Sequence, residues 1–223
     1  YVTKGDTVQY TGTMADLPAN RTSDITNVTF IDAVPAGVTV NSVKVYSAKG
    51  EDISNIYDIT TTTDADCNHV VTAVGTDTGM LTAMNLDKTS SYKMPYIVIT
   101  GTVNADNATL DNKILIKING SSVATNTVEN KTPNPTPTKS ETVDGNTEDG
   151  NGKTVLKGDT INYKISLDYS QLTTSTAISD DQKAKGLSMT DNYDSKTTAD
   201  QSSLVVTDAS GNTIPASYYK VPW

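Results

Sequence analysis

Alternation of apolar and polar residues with a period of two dominates much of this 223-residue chain. This period is typical of strands with one buried face, because successive side chains of a strand point to opposite faces. Most of the residues involved are Val, Ile, Thr and Tyr, whose branched or flat side chains pack well on a pleated surface. The clearest predicted strands are residues 28–31, 38–40, 43–46, 96–99 and 114–118.

Turn-forming residues separate these strands, at 35–37 (Pro-Ala-Gly), 49–50 (Lys-Gly), 104–107 (Asn-Ala-Asp-Asn) and 119–120 (Asn-Gly). Several short strands with turns at spacings of roughly 8–12 residues are typical of a β-sandwich. We therefore expect an all-β chain. One short helix is expected around residues 179–184, where the spacing is weakly helical.

Three prolines at alternate positions within residues 133–137 interrupt the strand pattern. Proline fixes φ and removes a backbone donor, which favours an extended, semi-rigid linker over a central strand. The tract therefore predicts a domain boundary. We expect a first β-sandwich domain at residues 1–131, a Pro/Thr linker at 132–138 and a second β-sandwich domain at 139–223.

Segments on the two sides of this tract resemble each other in order and spacing. The matching pairs are 4–10 (KGDTVQY) with 157–163 (KGDTINY), 27–32 with 186–191, and 42–50 with 203–211. A repeat of this length indicates two copies of one domain in tandem. The comparison predicts that the first strand of copy one and the C-terminal part of copy two are missing from the printed sequence.

Charge and the rare residue types exclude several classes of function. A net charge of −9 argues against a nucleic-acid partner, which needs clustered Lys and Arg. No apolar run approaches the ~20 residues that cross a bilayer. With Cys67 alone, neither an internal disulfide nor a zinc site of several Cys and His is available. His69 is the single histidine, so the chain does not read as an enzyme.

Residues around the proline tract resemble a junction between C-terminal domains of antigen I/II-type adhesins. The segments that carry the resemblance are 124–133 (ATNTVENKTP), 137–139 (PTK), 151–160 (NGKTVLKGDT), 167–172 (LDYSQL), 189–193 (MTDNY) and 205–211 (VVTDASG). The resemblance implies an extracellular, cell-wall-anchored Gram-positive surface protein. Its stalk would be a string of immunoglobulin-like (DEv-IgG-type) sandwiches, many of them locked by a Lys–Asn isopeptide bond.

An isopeptide bond forms when a lysine amine attacks an asparagine side-chain carbonyl and ammonia leaves. The amine must be neutral, and burial favours this by desolvating the charged form. A buried carboxyl group in its protonated form polarises the carbonyl and shuttles protons. Contact distance makes the reaction intramolecular, which lowers the barrier by ~7–11 kcal/mol in good cases.

The resemblance implies candidate residues for this chemistry in each domain. In the second domain Lys139 is the candidate nucleophile and Asp191 the promoting carboxyl, with the acceptor beyond the printed sequence. In the first domain Asp32 is the carboxyl, Asn126 and Asn130 are alternative acceptors, and the lysine precedes Tyr1. Two structural alternatives stand beside these roles. Lys139 is equally well explained as a solvated linker lysine, and Asp32 as the cap of the turn that follows it.

A structural calcium site is a second hypothesis. Asp144, Asn146 and Glu148 place oxygen ligands at alternate positions in a Gly-rich loop, as hard cations prefer. The loop is not a full EF-hand, and such clusters are mostly ordinary turns. Asp180 and Asp181 form a weaker second candidate. No other cofactor is expected.

The leading functional hypothesis is the structural stalk of a bacterial surface adhesin, which projects a binding head from the cell wall. One alternative is a domain that itself contacts a host or bacterial surface protein or glycan. Another is a pilus shaft subunit, although no sortase motif or donor strand is visible. Peptidoglycan attachment would use a missing C-terminus. Catalysis is limited to single-turnover, autocatalytic isopeptide formation.

Overall fold

The structure, a computed structural model, describes residues 1–168, 170–171 and 188–223. The helix expected around residues 179–184 lies outside the described residues. Contacts divide the chain into two compact units, Tyr1–Ala184 and Lys185–Trp223. The described strands are β1 (Thr7–Gly12), β2 (Val28–Val34), β3 (Val38–Tyr46), β4 (Asp58–Thr63), β5 (His69–Gly75), β6 (Tyr96–Val103), β7 (Thr109–Asn112), β8 (Ile114–Ile118), β9 (Ser121–Ala124), β10 (Val128–Lys131), β11 (Pro137–Val143) and β12 (Ile161–Leu167).

Antiparallel pairing organises these strands, and the predicted all-β class is confirmed. One sheet has the order β1-β6-β3 and a second has the order β4-β5-β2-β8-β9. Two smaller pairs, β7 with β10 and β11 with β12, complete the pattern. All five segments predicted as strands lie within four strands of the structure. The segments 38–40 and 43–46 form one strand, with a bulge between Val40 and Ser42.

The inward faces of the two larger sheets share one hydrophobic core. In β6 burial alternates strictly, so that every second residue from Ile97 to Val103 is buried. The facing residues of β2 include Val28, Phe30 and Val34, each 0% exposed. At ~25 cal/mol per Å² of apolar surface removed from water, this sandwich core is the main source of stability.

One α-helix, α1 (Thr78–Leu86), lies within the described residues and was not predicted from the sequence. Asp77 caps its N-terminus by accepting a hydrogen bond from Met80 N–H at 2.9 Å. Arg21, the single arginine of the chain, is distant in sequence and contacts the C-terminal end of this helix. The Arg21 guanidinium donates to the carbonyls of Met84 at 2.7 Å and Ser90 at 2.9 Å. It thereby satisfies a carbonyl that a helix end leaves unpaired.

The proline tract begins as part of the first sandwich. Thr132 and Pro133 are buried, and Thr132 Oγ1 accepts a hydrogen bond from Ala108 N–H at 2.6 Å. The carbonyl of Pro133 accepts from Asn107 N–H. Strand β11 already starts at Pro137, as its first residue, where a missing N–H is best tolerated. The segment without regular pairing is therefore shorter than the predicted linker at residues 132–138, and the predicted domain boundaries remain a prediction.

Two of the matched sequence segments adopt the same local turns. Gly5 and Gly158 have φ values of 97° and 104°, and in each turn the following Asp carboxylate accepts a backbone N–H three residues earlier at 2.7 Å. Gly50 and Gly211 have φ values of 85° and 86°. Each of these two glycines donates its N–H to the residue three positions before it. Only glycine adopts these φ values without strain, which explains its presence at all four positions.

The unit Lys185–Trp223 has little regular structure in its described part, residues 188–223. It contains short 3₁₀ turns at Gln201–Ser203 and Ala216–Tyr218 and an isolated bridge between Thr207 and Thr213. Met189, Val205 and Trp223 are among its large apolar side chains that remain more than half exposed.

Replacing Arg21 by methionine should destabilise the first sandwich, because the carbonyls at the end of α1 lose charged donors. We expect the free energy of unfolding to fall by about 2–3 kcal/mol in a urea titration. The control is Lys93→Met, which removes a surface pair with Asp16 whose side chains are 78% and 46% exposed. That change should cost below about 0.5 kcal/mol, and equal losses for the two variants would contradict the role given to Arg21.

Candidate functional site

Two polar side chains occupy inward positions of otherwise apolar strand faces. Asp32 lies on the core face of β2 between Phe30 and Val34 and is 1% exposed. Asn112 ends β7 two residues after the buried Leu110 and is 3% exposed. Both therefore belong to the sandwich core, where a polar group is costly unless it is hydrogen-bonded.

Asn112 Nδ2 donates a hydrogen bond to Asp32 Oδ1 at 2.6 Å. Burial raises the pKa of Asp32 to about 6, and the Asn112 hydrogen bond opposes this rise only partly. The neutral acid is thus favoured far more than for a solvated aspartate. A neutral Asp32 can donate its own proton: if the amide turns about its Cβ–Cγ bond, the O–H meets Asn112 Oδ1 and polarises the carbonyl.

A third buried polar group, the Tyr10 hydroxyl, belongs to the same core. Tyr10 is 4% exposed and stands on the inward face of β1. Burial raises its pKa to about 12, and the charge of Asp32 adds to the rise. Within the described residues, Tyr10 Oη and Asp32 Oδ2 are buried atoms without a hydrogen-bond partner.

Asp32, the carboxyl predicted for the first domain, is therefore buried, as isopeptide formation requires. The amide that contacts it is not one of the two predicted acceptors. Asp32 faces the core instead of capping the turn after it. Asn126 lies exposed in the loop before β10, and Asn130 is half-buried opposite Leu110 in the β10–β7 pair. Asn112, which sequence reasoning missed, makes the contact. None of the lysines among the described residues is buried.

A sequence signal for Asn112 exists in the alternation itself. Leu110, Asn112 and Ile114 follow one another at every second position, and the two apolar neighbours are core residues. A polar residue at an inward position of such a run means either that the predicted strand register is wrong or that the polar side chain is buried in the core. The same test selects Asp32 in β2 and Tyr10 in β1.

The candidates of the second domain have other surroundings. Lys139 is exposed in β11, opposite Ile165, and its Nζ lies 4.4 Å from the centre of the Tyr163 ring. This cation–π contact holds the amine at the surface, whereas a nucleophilic lysine needs burial. Asp191 is half-buried in a segment without strand pairing. Their isopeptide roles remain predictions.

Each of the three calcium candidates contacts another protein group. Asp144 and Gly145 have φ values of 48° and 75°, as in a tight hairpin turn, and the Asp144 carboxylate accepts Thr160 N–H at 2.7 Å. Asn146 Nδ2 donates to the Val143 carbonyl, and Glu148 pairs with Lys153 at 3.1 Å. Over residues 1–168, 170–171 and 188–223, no three acidic, His or Cys side chains are grouped to hold a metal.

Cys67 lies in a turn, and His69 lies in a strand. Cys67 is exposed in the turn between β4 and β5, with a φ of 63°. His69 opens β5 opposite Thr63 and Val34. No helix in the described part of the chain is both long and apolar enough to cross a membrane.

Residues 137–221 match the family model of the cell surface antigen I/II C2 terminal domain. The match covers the segments from β11 onwards, and the Asp32–Asn112 pair lies outside it. Proteins of the antigen I/II family are associated with the cell surface. No curated protein sequence matches the chain.

Three solved structures align with part of the chain. The C-terminal domain of the Streptococcus pyogenes antigen I/II-family protein AspA aligns with 21% identity and a TM-score of 0.46, over 59% of this chain and 41% of that one. The C-terminal domain of Streptococcus agalactiae BspA aligns with 18% identity and a TM-score of 0.46, over 59% and 44%. The Corynebacterium diphtheriae major pilin SpaA aligns with 18% identity and a TM-score of 0.42, over 52% and 28%. The chain thus spans less than half the length of these structures.

The buried Asp32 carboxyl should make the stability of the first sandwich depend on pH. Its folded-state pKa of about 6 lies above the unfolded value of 3.8, so its contribution is complete below the unfolded value and is lost as pH rises through the folded one. We expect the free energy of unfolding to fall by about 2–3 kcal/mol between pH 4 and pH 7. Asp32→Asn should remove that slope in urea titrations.

A matched control for this measurement is Asp52→Asn. Hydrogen bonds from Ser54, with help from Lys44, lower the pKa of Asp52 to about 2, so that it stays ionised across the same range. This variant should keep the wild-type slope. An Asp32→Asn protein with the full wild-type slope would contradict the raised pKa.

The calcium hypothesis has a direct test. If Asp144, Asn146 and Glu148 bind Ca²⁺ in the folded chain, then a Ca²⁺ excess over a chelator must raise the melting temperature, because a ligand of the folded form stabilises it. Glu148→Gln should remove the shift, whereas Glu51→Gln, on a different turn, should keep it. Identical melting curves with Ca²⁺ and with chelator would exclude the site.

Proposed function

We propose that the chain, whose residues 137–221 match the antigen I/II C2 terminal domain, is part of the stalk of a bacterial surface adhesin. The stalk would project a binding head away from the cell wall, to which the complete protein is anchored. The family match supports the surface location, and the sandwich formed by β1 to β10 supports a structural role. We further propose that the chain turns over no substrate.

The observation that carries the finer proposal is the buried Asp32–Asn112 contact of 2.6 Å. We propose that it is the acceptor half of an intramolecular isopeptide site. Asp32 would be the promoting carboxyl, as the sequence suggested, and Asn112 would replace Asn126 and Asn130 as the acceptor. The resemblance to antigen I/II domains implies a lysine on a strand before Tyr1 as the source of the amine.

The reaction follows from these groups. The neutral lysine Nζ attacks Asn112 Cγ while the Asp32 O–H donates to Oδ1 and stabilises the developing oxyanion. The Cγ–Nδ2 bond then breaks. One proton of the former amine passes by way of Asp32 to Nδ2, which leaves as ammonia. Asp32 ends in its starting protonation state, so one buried carboxyl suffices for a single turnover.

A cross-link at Asn112 would suit a stalk for a mechanical reason. Asn112 ends β7, and one residue later β8 pairs with β2 in the large sheet. A covalent bond from Asn112 to a strand before Tyr1 would close most of the first sandwich into a loop. Such a loop restricts the unfolded chain and stops extension of the enclosed strands under tension.

Two alternatives remain compatible with the chain. A pilus-type shaft would use the same cross-linked sandwich, with subunits joined end to end. A ligand-binding domain that contacts a host or bacterial surface protein or glycan would need a recognition surface. No observation on the described residues favours such a surface, so the stalk remains the leading proposal.

Intact mass spectrometry of the full-length protein tests the cross-link. We expect each bond to lower the mass by one ammonia, and peptide mapping should connect Asn112 to a lysine. Asn112→Ala and Asp32→Ala should abolish this bond. Asn126→Ala and Asn130→Ala are the controls and should retain it.

A folded protein in which Asn112 is found as an unmodified amide would refute the site. Loss of the bond in Asn126→Ala or Asn130→Ala, with Asn112→Ala unaffected, would return the acceptor role to the residues first expected from the sequence.

A further inference from the structure

We propose that Tyr10 is a positioning residue of the isopeptide site: its hydroxyl, which is unpaired in the structure, donates to Asp32 Oδ2 in the reacting protein and fixes the carboxyl against Asn112. This inference rests on the proposed cross-link and adds to it a residue that the reaction scheme above does not use. The observation behind it is that two buried atoms of the core, Tyr10 Oη and Asp32 Oδ2, have no hydrogen-bond partner.

The strand register places the two residues on facing surfaces of the sandwich. Asp32 in β2 is paired with Ile114 in β8. Above that pair lies Gly12 of β1, where an added Cβ would come within 2.7 Å of Ile114 Cδ1. Tyr10 is two residues before Gly12, on the same inward face of β1. The missing side chain at Gly12 thus lets β1 approach the β2–β8 pair closely, two residues away from Tyr10.

Few titratable side chains are buried in the described part of this core. The other titratable side chains buried in the described residues are Asp6, which accepts hydrogen bonds from Thr3 in the turn before β1, and Tyr57, whose hydroxyl donates to Met80 Sδ at 3.5 Å. Asp111 and Lys113, on either side of Asn112, are exposed. The charge of Asp32 raises the pKa of Tyr10, which is consistent with the two groups being electrostatic neighbours.

Two unpaired polar atoms in an apolar core are a cost that a purely structural sandwich would avoid. The Tyr10 O–H is a donor, and Asp32 Oδ2 is an acceptor whether Asp32 is neutral or ionised. Joined by a hydrogen bond, they leave Asp32 Oδ1 for the Asn112 amide. The carboxyl then keeps the orientation that proton transfer needs, and a donor to the carboxylate lowers its pKa.

The experiment follows the reaction in time in the full-length protein. The chain is made in a short cell-free translation, synthesis is stopped, and aliquots are moved to buffers of different pH. Intact mass spectrometry then measures the rate at which one ammonia is lost. Tyr10→Phe removes only the hydroxyl, and Tyr57→Phe is the matched control, since it removes another buried tyrosine hydroxyl from the same sandwich.

We expect Tyr10→Phe to form the bond ~10-fold more slowly, because orientation is lost while the reacting groups remain. The decline of its rate at higher pH should move to a higher midpoint, because the carboxylate has lost a donor. Its melting temperature before cross-linking should fall below that of the wild type, because the buried Asp32 Oδ2 loses its donor. Tyr57→Phe should keep the wild-type rate and midpoint.

A Tyr10→Phe protein with the wild-type rate and midpoint would overturn the role of Tyr10 and leave the cross-link intact. Equal slowing of both variants at an unchanged midpoint would also overturn it, because core stability would then explain the effect. A folded wild type that loses no ammonia would overturn the proposed cross-link itself, and the role of Tyr10 with it.

Discussion

Burial of the Asp32 carboxyl among apolar side chains is the constraint on which the rest of the candidate site depends. Ionised in this core, the carboxylate is poorly solvated, and a single amide contact compensates only part of that cost. The neutral form is therefore stabilised. A group kept in this state can donate a proton near neutral pH, which a surface aspartate cannot do. The core is therefore less stable at neutral pH than at acid pH by the cost of ionising this carboxyl.

The sandwich brings Asn112 to the buried Asp32 because one continuous segment of the chain changes the strand with which it pairs. β7 pairs with β10, and after the single residue Lys113 the chain continues as β8 in the large sheet. Asn112 lies at this change of partner, next to the residue pair formed by Asp32 and Ile114. The end of β7 lies one residue before β8, which pairs directly with β2, and this brings the inward-facing Asn112 side chain to Asp32 of β2.

The junction that follows is held to the first sandwich more firmly than a proline-rich tract suggests. Thr132 and Pro133 are buried and hydrogen-bonded to the chain around Ala108, and Asn134 N–H donates to Gln171 Oε1 at 2.7 Å. Each contact removes freedom that a flexible linker would keep. These contacts fix residues 132–134 in place.

Local chemistry in the sequence determined the class of fold, the principal strands and the turns, because strand period and glycine conformation act over a few residues. The sequence also identified Asp32, although only through resemblance to a family. The alternation of apolar and polar residues could have identified Asn112 and Tyr10 as buried polar residues. The position of α1 was not predictable, since its C-terminal carbonyls are satisfied by Arg21 from more than sixty residues away. Only the tertiary structure brought Asn112 to Asp32 and left Asn126 in solvent, because the pairing of distant strands decides which amide shares a core with which carboxyl.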